Sequence, residues 1–184
     1  MFILASGSKR RINLLNDAGL TFKVIPSDVD EIIDDSITPV ENVKTIAKKK
    51  ALDIYNKNKG ELVIAADTIV VLDNKIFGKP ETQEEAYDML KRLSNKTHEV
   101  MTAVAFVSEK TEEVIVSISK VTFKDLSDEE IYAYIETKEP FGKAGAYAIQ
   151  GIGKEIIETY EGDFFTIVGL PLKEVLEKLK YYKI

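Results

Sequence analysis

Short apolar runs alternate along this chain with longer stretches whose apolar residues recur every three or four positions. Runs at 2–5, 22–25 and 62–72 predict β-strands, and the run at 62–66 is uninterrupted, as expected of a strand covered on both faces. The stretches between them predict two helices, one that stops at Gly19 and one that ends at Gly60. This alternation of strand and helix periods predicts an α/β fold.

Three helix starts carry a hydroxyl residue followed three positions later by glutamate, at Thr38, Thr82 and Ser127. Two long strand-like segments at 98–108 and 114–125 predict a hairpin. We also expect strands at 156–160 and 164–168 around a hairpin turn at 161–163, and a last helix opened by Pro171. Because hairpins accompany the parallel pattern, a mixed β-sheet flanked by helices is expected.

Size and charge limit what the protein can bind. A chain of 184 residues predicts a single domain over 1–184 with a continuous core. It carries 31 acidic and 25 basic side chains, a formal charge of −6, which argues against a broad nucleic-acid surface. A phosphate would therefore be caught locally by a cluster of cations, which indicates a small ligand.

The residue types exclude several kinds of site. There is no cysteine, no apolar stretch of membrane-spanning length and no signal-like start, so we expect a soluble, cytoplasmic protein. His98 is the sole histidine and there is no cysteine, so the chain lacks the ligands of the usual zinc sites, and a Ser-His-Asp triad would have to use His98. A structural hydrogen-bonding role is the favoured interpretation of His98.

The segment Ser6-Gly7-Ser8-Lys9-Arg10-Arg11 follows the first strand and opens the first helix. Unpaired backbone N–H groups at a helix start attract anions, and two hydroxyls with three cations surround this one. The segment therefore suits a phosphate. An equally open alternative is that a serine only caps the helix and the cations form a solvated face.

Carboxylates supply the second half of the candidate chemistry. Asp67 lies where the buried run 62–66 ends, and an acidic stretch follows Pro26. Of the three consecutive lysines at 48–50, only one can reach a given cleft, because neighbours on a helix point about 100° apart. Carboxylates, hydroxyls and cations together favour metal-assisted hydrolysis of a phosphoanhydride.

Five segments of the chain resemble motifs of the Maf family of nucleoside triphosphate pyrophosphatases. They are Leu4-Ala5-Ser6-Gly7-Ser8-Lys9-Arg10-Arg11, Ala66-Asp67-Thr68, Gly78-Lys79-Pro80, Lys143-Ala144-Gly145-Ala146-Tyr147-Ala148-Ile149-Gln150-Gly151 and Val168-Gly169-Leu170-Pro171. The resemblance spans essentially the whole chain. It implies an elongated mixed sheet with two lobes and a central cleft, similar to the inosine-triphosphate pyrophosphatases, and a homodimer.

The resemblance also implies roles for single residues. The expected reaction splits dTTP or UTP into the nucleoside monophosphate and pyrophosphate, with Mg²⁺ and with Mn²⁺ or Co²⁺ as alternatives. Asp67 matches the proton acceptor, and Glu31 and Asp67 match the metal site. The residues matching the triphosphate grip are Ser8, Arg10, Arg11, Lys50 and Lys79, and those matching the choice of base are Arg10, Thr68 and Gln150.

Two alternatives stay open at this point. The cleft could bind nucleotides without cleaving them, in a cell-division regulator, or the enzyme could prefer CTP or a methylated guanine nucleotide. The chain also departs from the family pattern at Lys9, at Gly142 and at Thr166-Ile167. None of these departures affects Glu31, Asp67 or the basic residues.

Overall fold

A computed structural model describes residues 1–184 and has a mixed β-sheet flanked by helices, as predicted. The strands are β1 (Phe2–Leu4), β2 (Phe22–Val24), β3 (Val63–Leu72), β4 (Lys75–Phe77), β5 (Thr97–Val107), β6 (Glu112–Phe123) and β7 (Ile157–Glu161). The helices are α1 (Lys9–Asp17), α2 (Pro39–Lys57), α3 (Gln83–Leu93), α4 (Asp128–Glu136), α5 (Phe164–Val168) and α6 (Leu172–Tyr181). Two short 3₁₀ helices span Ala144–Ala146 and Gly151–Ile156.

The sheet has the strand order β2-β1-β3-β5-β6-β7, with β4 paired to β3. The chain forms two compact units, and it passes from one to the other within β3, β5 and β6 as well as between Val168 and Gly169. The first unit comprises Met1–Thr68, Thr102–Ser117 and Gly169–Ile184, and the second Ile69–Met101 and Ile118–Val168. The expectation of one domain over 1–184 stays a prediction.

In the first unit, β1 lies between β2 and β3 and is parallel to both. All three residues of β1 are buried, and so is the first half of β3, because strands of a parallel arrangement are covered on both faces. The largest fully buried side chains of this unit are Phe2, Ile3, Leu4, Leu15, Ile64, Phe106 and Leu170.

In the second unit, β3 turns back into β4 through Asp73 and Asn74, which both have positive φ, at 49° and 62°. Two consecutive residues in this conformation form the tight turn whose twist suits a hairpin. The strands β6 and β7 are antiparallel. The largest fully buried side chains of this unit are Leu90, Leu93, Phe123, Ile131 and Ile135.

The three predicted helix starts are confirmed. At Thr38, Thr82 and Ser127 the side chain accepts a hydrogen bond from the backbone three residues on, and the glutamate there bonds back to the cap residue. Each pair satisfies two backbone donors that a helix start leaves open. These local contacts explain why the starts of α2, α3 and α4 could be read from the sequence.

The prediction of a strand at 164–168 is wrong, because these residues form the short helix α5. Residues 161–163 therefore join β7 to a helix and are not a hairpin turn between two strands. One carboxylate oxygen of Asp163 accepts hydrogen bonds from the backbone N–H of Thr166 at 2.7 Å and from its hydroxyl at 2.8 Å. Phe, Thr, Ile and Val favour strands in general, but this cap supplies the donor partners of a helical turn.

No helix of the structure combines the length and the apolar character that crossing a bilayer requires.

Candidate active site

The turn between β1 and α1 holds a buried hydroxyl at its start. Ser6 is 8% exposed, and its Oγ accepts from the backbone N–H of Ser8 at 3.3 Å. Ser8 occupies the N-cap position of α1, but its side chain makes no capping hydrogen bond. Its hydroxyl is therefore not used to start the helix, which weakens the interpretation of Ser8 as a simple cap.

Arg11 joins three segments of the first unit through its guanidinium. Its Nη1 donates to Ser6 Oγ at 3.2 Å, its Nη2 to Thr68 Oγ1 at 3.0 Å and its Nε to the carbonyl of Gly169 at 2.8 Å. Burial lowers the pKa of Arg11 to about 10, and the negative charge of Asp67 opposes that shift. The side chain therefore remains a cation at neutral pH and is held in one orientation.

Thr68 also contacts a second hydroxyl. Its Oγ1 lies 2.9 Å from the Oγ1 of Thr102, which is fully buried on β5. Thr102 was missed as part of the site, although a lone hydroxyl within the apolar run 100–107 was a signal for it. A buried hydroxyl needs a hydrogen-bond partner, and here that partner is a predicted site residue.

The two predicted acidic residues meet on one lysine. Lys50 Nζ donates to Glu31 Oε1 and to Asp67 Oδ1, both at 2.7 Å. The side chains of Lys50 and Asp67 are 10% and 7% exposed, and that of Glu31 is 36% exposed. Hydrogen bonds between charged groups at this distance are the strong ones in proteins. Glu31 and Asp67 therefore lie together, as the predicted metal site requires.

The lysine triplet separates as its helical spacing predicts. Lys48 pairs with Glu112, Lys49 is exposed, and only Lys50 is buried against the carboxylates. Asp67 lies within β3, which runs through it to Leu72, as the apolar run 62–72 predicts. The carboxylate is thus fixed on a strand, which holds it more rigidly than a loop would.

Glu31 and Asp67 are the residues that could hold a divalent cation. No group of three or more histidine, cysteine, aspartate or glutamate side chains is gathered to bind a metal. Mg²⁺ is commonly held by one or two carboxylates together with phosphate oxygens of the substrate. A pair of acidic side chains beside a cluster of cations fits a metal that arrives with a nucleotide.

Two predicted site residues belong to the second unit. Lys79 is exposed in the segment after β4, directly before the buried Pro80. Gln150 is exposed and precedes the 3₁₀ helix Gly151–Ile156. Within the first unit, Arg10 is half-buried, and its charge acts on Arg11 along with those of Glu31 and Asp67.

His98 has the structural role expected of it. It is buried in the second unit, and its Nε2 lies 2.7 Å from the hydroxyl of Tyr147. Its Nδ1 is buried without a hydrogen-bond partner, and burial lowers the pKa of the imidazole to about 4. A histidine that stays neutral at physiological pH is a packing residue here.

Comparison with known proteins identifies the family of this chain. A family model described as "Maf-like protein" matches residues 1–182. The chain is 50% identical to a Caldicellulosiruptor bescii protein named dTTP/UTP pyrophosphatase, over 97% of this chain and 94% of that protein. It is 49% identical to an Acholeplasma laidlawii protein of the same name, over 100% of this chain and 97% of that protein.

Among solved structures, the Ham1 protein of Staphylococcus aureus aligns with a TM-score of 0.44 and 19% identity, over 85% of this chain and 79% of that chain. A similarity of this extent implies nothing about activity. The match to the family model and the identity to these relatives both extend over nearly the full length. The chain therefore belongs to the Maf family.

Proposed function

We propose that this protein hydrolyses nucleoside triphosphates, preferably dTTP and UTP, to the nucleoside monophosphate and pyrophosphate. The observation that carries the proposal is the contact of Glu31 and Asp67 with one buried lysine, Lys50. The names of the full-length relatives support the choice of substrate. A protein that only binds nucleotides gains nothing from two carboxylates beside a polyanion.

In the proposed reaction, a water molecule attacks the α-phosphorus and the bond to the bridging oxygen of the β-phosphate breaks. Asp67 accepts the proton of the water, and pyrophosphate leaves with the electron pair of the broken bond. The fixed position of Asp67 on β3 suits a residue that must orient water within hydrogen-bond reach. Lys50 holds this carboxylate in place and adds positive charge where charge develops.

The metal belongs to the proposal as well. Glu31 and Asp67 would hold a divalent cation, with Mg²⁺ favoured and with Mn²⁺ or Co²⁺ as alternatives. When bound, such an ion neutralises the charge of the phosphates and lowers the pKa of water.

The triphosphate would be held by hydroxyl and cationic side chains. The proposed set is Ser8, Arg10, Arg11, Lys50 and Lys79. The Ser8 hydroxyl takes no part in capping α1, which supports a role in binding. Arg11 already uses three of its nitrogens on protein oxygens, so we assign it chiefly to holding Ser6 and Thr68 in position.

Recognition of the base is assigned to Arg10, Thr68 and Gln150. A glutamine amide offers one donor and one acceptor, which complement the O4 and N3 edge of thymine or uracil. A site built to fill those two bonds rejects bases that leave them unpaired. A preference for CTP or a methylated guanine nucleotide is the alternative at this step.

The test is a panel of nucleotides with all products identified. The enzyme with Mg²⁺ should release pyrophosphate and monophosphate from dTTP and UTP faster than from CTP, dATP or a methylated GTP. Asp67→Asn should lower kcat by about 100-fold or more, because general-base catalysis contributes roughly that factor. Asp73→Asn changes an exposed turn aspartate in the same way and should leave the rate unchanged.

Other outcomes of this panel are equally informative. Tight nucleotide binding without turnover would identify a regulator, and release of orthophosphate would overturn the assigned bond cleavage. Rapid hydrolysis of CTP with slow hydrolysis of dTTP would show that the enzyme has the alternative base preference, for CTP.

We also propose that the protein is cytoplasmic and acts as a homodimer. The cysteine-free sequence suits a reducing compartment, and its substrate would be a free nucleotide. The dimer rests on resemblance to the family. Light scattering on the purified protein tests it, and a monomer at micromolar concentration contradicts it.

A further inference from the structure

Glu139 is a glutamate of the second unit, located just after α4, and its carboxylate binds the backbone that follows Gln150. Its Oε2 accepts from the backbone N–H of Gly153 at 2.7 Å, and its Oε1 accepts from that of Ile152 at 3.1 Å. These two donors lie in the first turn of the 3₁₀ helix Gly151–Ile156, where backbone N–H groups lack partners within the helix. The carboxylate thus fixes the segment on the C-terminal side of Gln150.

Tyr134 of α4 fixes the segment on the other side. Its hydroxyl donates to Glu139 Oε2 at 2.6 Å and accepts from the backbone N–H of Ala148 at 3.2 Å. Gln150 therefore projects from a short span, 148–153, whose two ends are hydrogen-bonded to one tyrosine-glutamate pair. The side chain of Gln150 is exposed, while Ala148 and Ile149 before it are buried.

The same contacts require glycine at positions 151 and 153. A Cβ at Gly151 would lie 2.3 Å from Glu139 Oε1, and a Cβ at Gly153 would lie 2.7 Å from the Tyr134 hydroxyl and 2.0 Å from the carbonyl oxygen of Ala148. Gly151 also has a φ of 74°, which glycine adopts without strain. The backbone is therefore shaped around the glutamate, and this arrangement is more specific than a surface ion pair.

We propose that Glu139 is a positioning residue for base selection, which acts through the backbone of 148–153 on the amide of Gln150. The inference rests on the proposed function, because it needs Gln150 to read the base. An amide that pairs with two atoms of a base must have both its position and its plane set, and a displacement of about 1 Å spoils both bonds. Glu139 and Tyr134 provide that restraint without contacting substrate.

The quantity to measure is the ratio of kcat/KM for dTTP to kcat/KM for CTP. Gln150→Ala removes the amide proposed to recognise the base, so its ratio is the reference value for an enzyme without that recognition. Glu139→Ala and, independently, Tyr134→Phe should each lower the ratio, with a decrease of about tenfold for the glutamate variant, which loses both backbone acceptors. Tyr134→Phe keeps the ring and removes only the hydroxyl, so it decides the question if Glu139→Ala does not fold.

A double-mutant cycle separates positioning from general destabilisation. In the Gln150→Ala background, Glu139→Ala should change the ratio no further, because the residue through which it acts is gone. The matched control is Glu130→Ala, which removes another glutamate of the same region, one that caps α4 through the backbone N–H of Ser127. This control should lose stability and keep the wild-type ratio.

The possible failures are distinguishable. If wild type lacks base preference, or Gln150→Ala leaves the ratio unchanged, the proposed function and the inference both fail at the base-reading step. If Gln150→Ala lowers the ratio but folded Glu139→Ala and Tyr134→Phe retain the wild-type value, only the inference is overturned. The same holds if Glu130→Ala lowers the ratio as much as Glu139→Ala.

Discussion

The Nε of Arg11 donates a hydrogen bond at 2.8 Å to the main-chain carbonyl of Gly169, a residue 158 positions further along the chain. The remaining nitrogens of the same guanidinium bind Ser6 on the first turn and Thr68 on β3. A planar group with donors pointing in several directions can join three segments in this way. Arg11 therefore holds together the first turn, β3 and the segment that precedes α6 in the first unit.

Replacing Arg11 with lysine tests this role. A single ammonium cannot reach three separate oxygens, so Arg11→Lys should lower the free energy of unfolding by about 2 kcal/mol although the charge is kept. Urea denaturation measures the change. The exposed neighbour Lys9, replaced by alanine, is the control and should have no measurable effect. Equal midpoints for Arg11→Lys and wild type would contradict the assignment.

Lys50→Met tests whether the two carboxylates depend on a cation. Removal of the ammonium leaves Glu31 and Asp67 without their shared donor, and the unfolding free energy should decrease by about 3 kcal/mol, since one partner of a buried ion pair is lost. Mn²⁺ or Mg²⁺ should then raise Tm more in Lys50→Met than in wild type, because a cation can replace the lysine and binding stabilises the folded state.

The control for this experiment is Lys49→Met, which changes the exposed neighbour on α2. It should keep both the stability of wild type and its response to the metal. An identical thermal shift by metal in Lys50→Met and wild type would count against Glu31 and Asp67 as a metal site, without any reference to turnover.

Because His98 is buried, the stability of the folded protein should decrease at acidic pH. Its pKa is about 4 in the folded protein and about 6.5 in an unfolded chain. Between these values the unfolded chain binds the proton and the folded protein does not, so stability falls as pH is lowered from about 6.5 to about 4. The full loss from this residue is of the order of 3 kcal/mol.

His98→Gln isolates that contribution, because it can keep a hydrogen bond to Tyr147 and cannot titrate. No other histidine is present, so the carboxylates that titrate in this range are common to both proteins. The unfolding free energy of wild type minus that of His98→Gln should therefore decrease as pH falls from 7 to 4. A difference that stays constant over this range would show that His98 is not kept neutral by burial.

Asp163→Ala tests the cap of α5. The change removes the acceptor for both the backbone N–H and the hydroxyl of Thr166, and it should cost about 1 to 2 kcal/mol of stability. Asp163→Asn retains an acceptor oxygen and should lose less. If alanine and asparagine at this position are equally stable, the carboxylate is not what starts the helix.

Local signals in the sequence were sufficient for much of the fold. The capping boxes at Thr38, Thr82 and Ser127 and the stop at Gly19 depend on residues within four positions of each other. The segment 164–168 shows the limit of that reasoning, because its strand-forming residues were outweighed by a cap from Asp163 and by burial of Thr166, Ile167 and Val168. Intrinsic strand preference is weak compared with such contacts.

The sequence by itself determined which residue types were available, that Asp67 follows a buried run, and that only one lysine of three could turn inward. The resemblance to the Maf family then singled out Glu31 and Lys50 as candidates beside Asp67. Only the tertiary structure decided that both carboxylates share one ammonium, that Arg11 is occupied by Ser6, Thr68 and Gly169, and that Glu139 holds the backbone around Gln150. These contacts join residues far apart in the chain, and their existence depends on packing that no local pattern encodes.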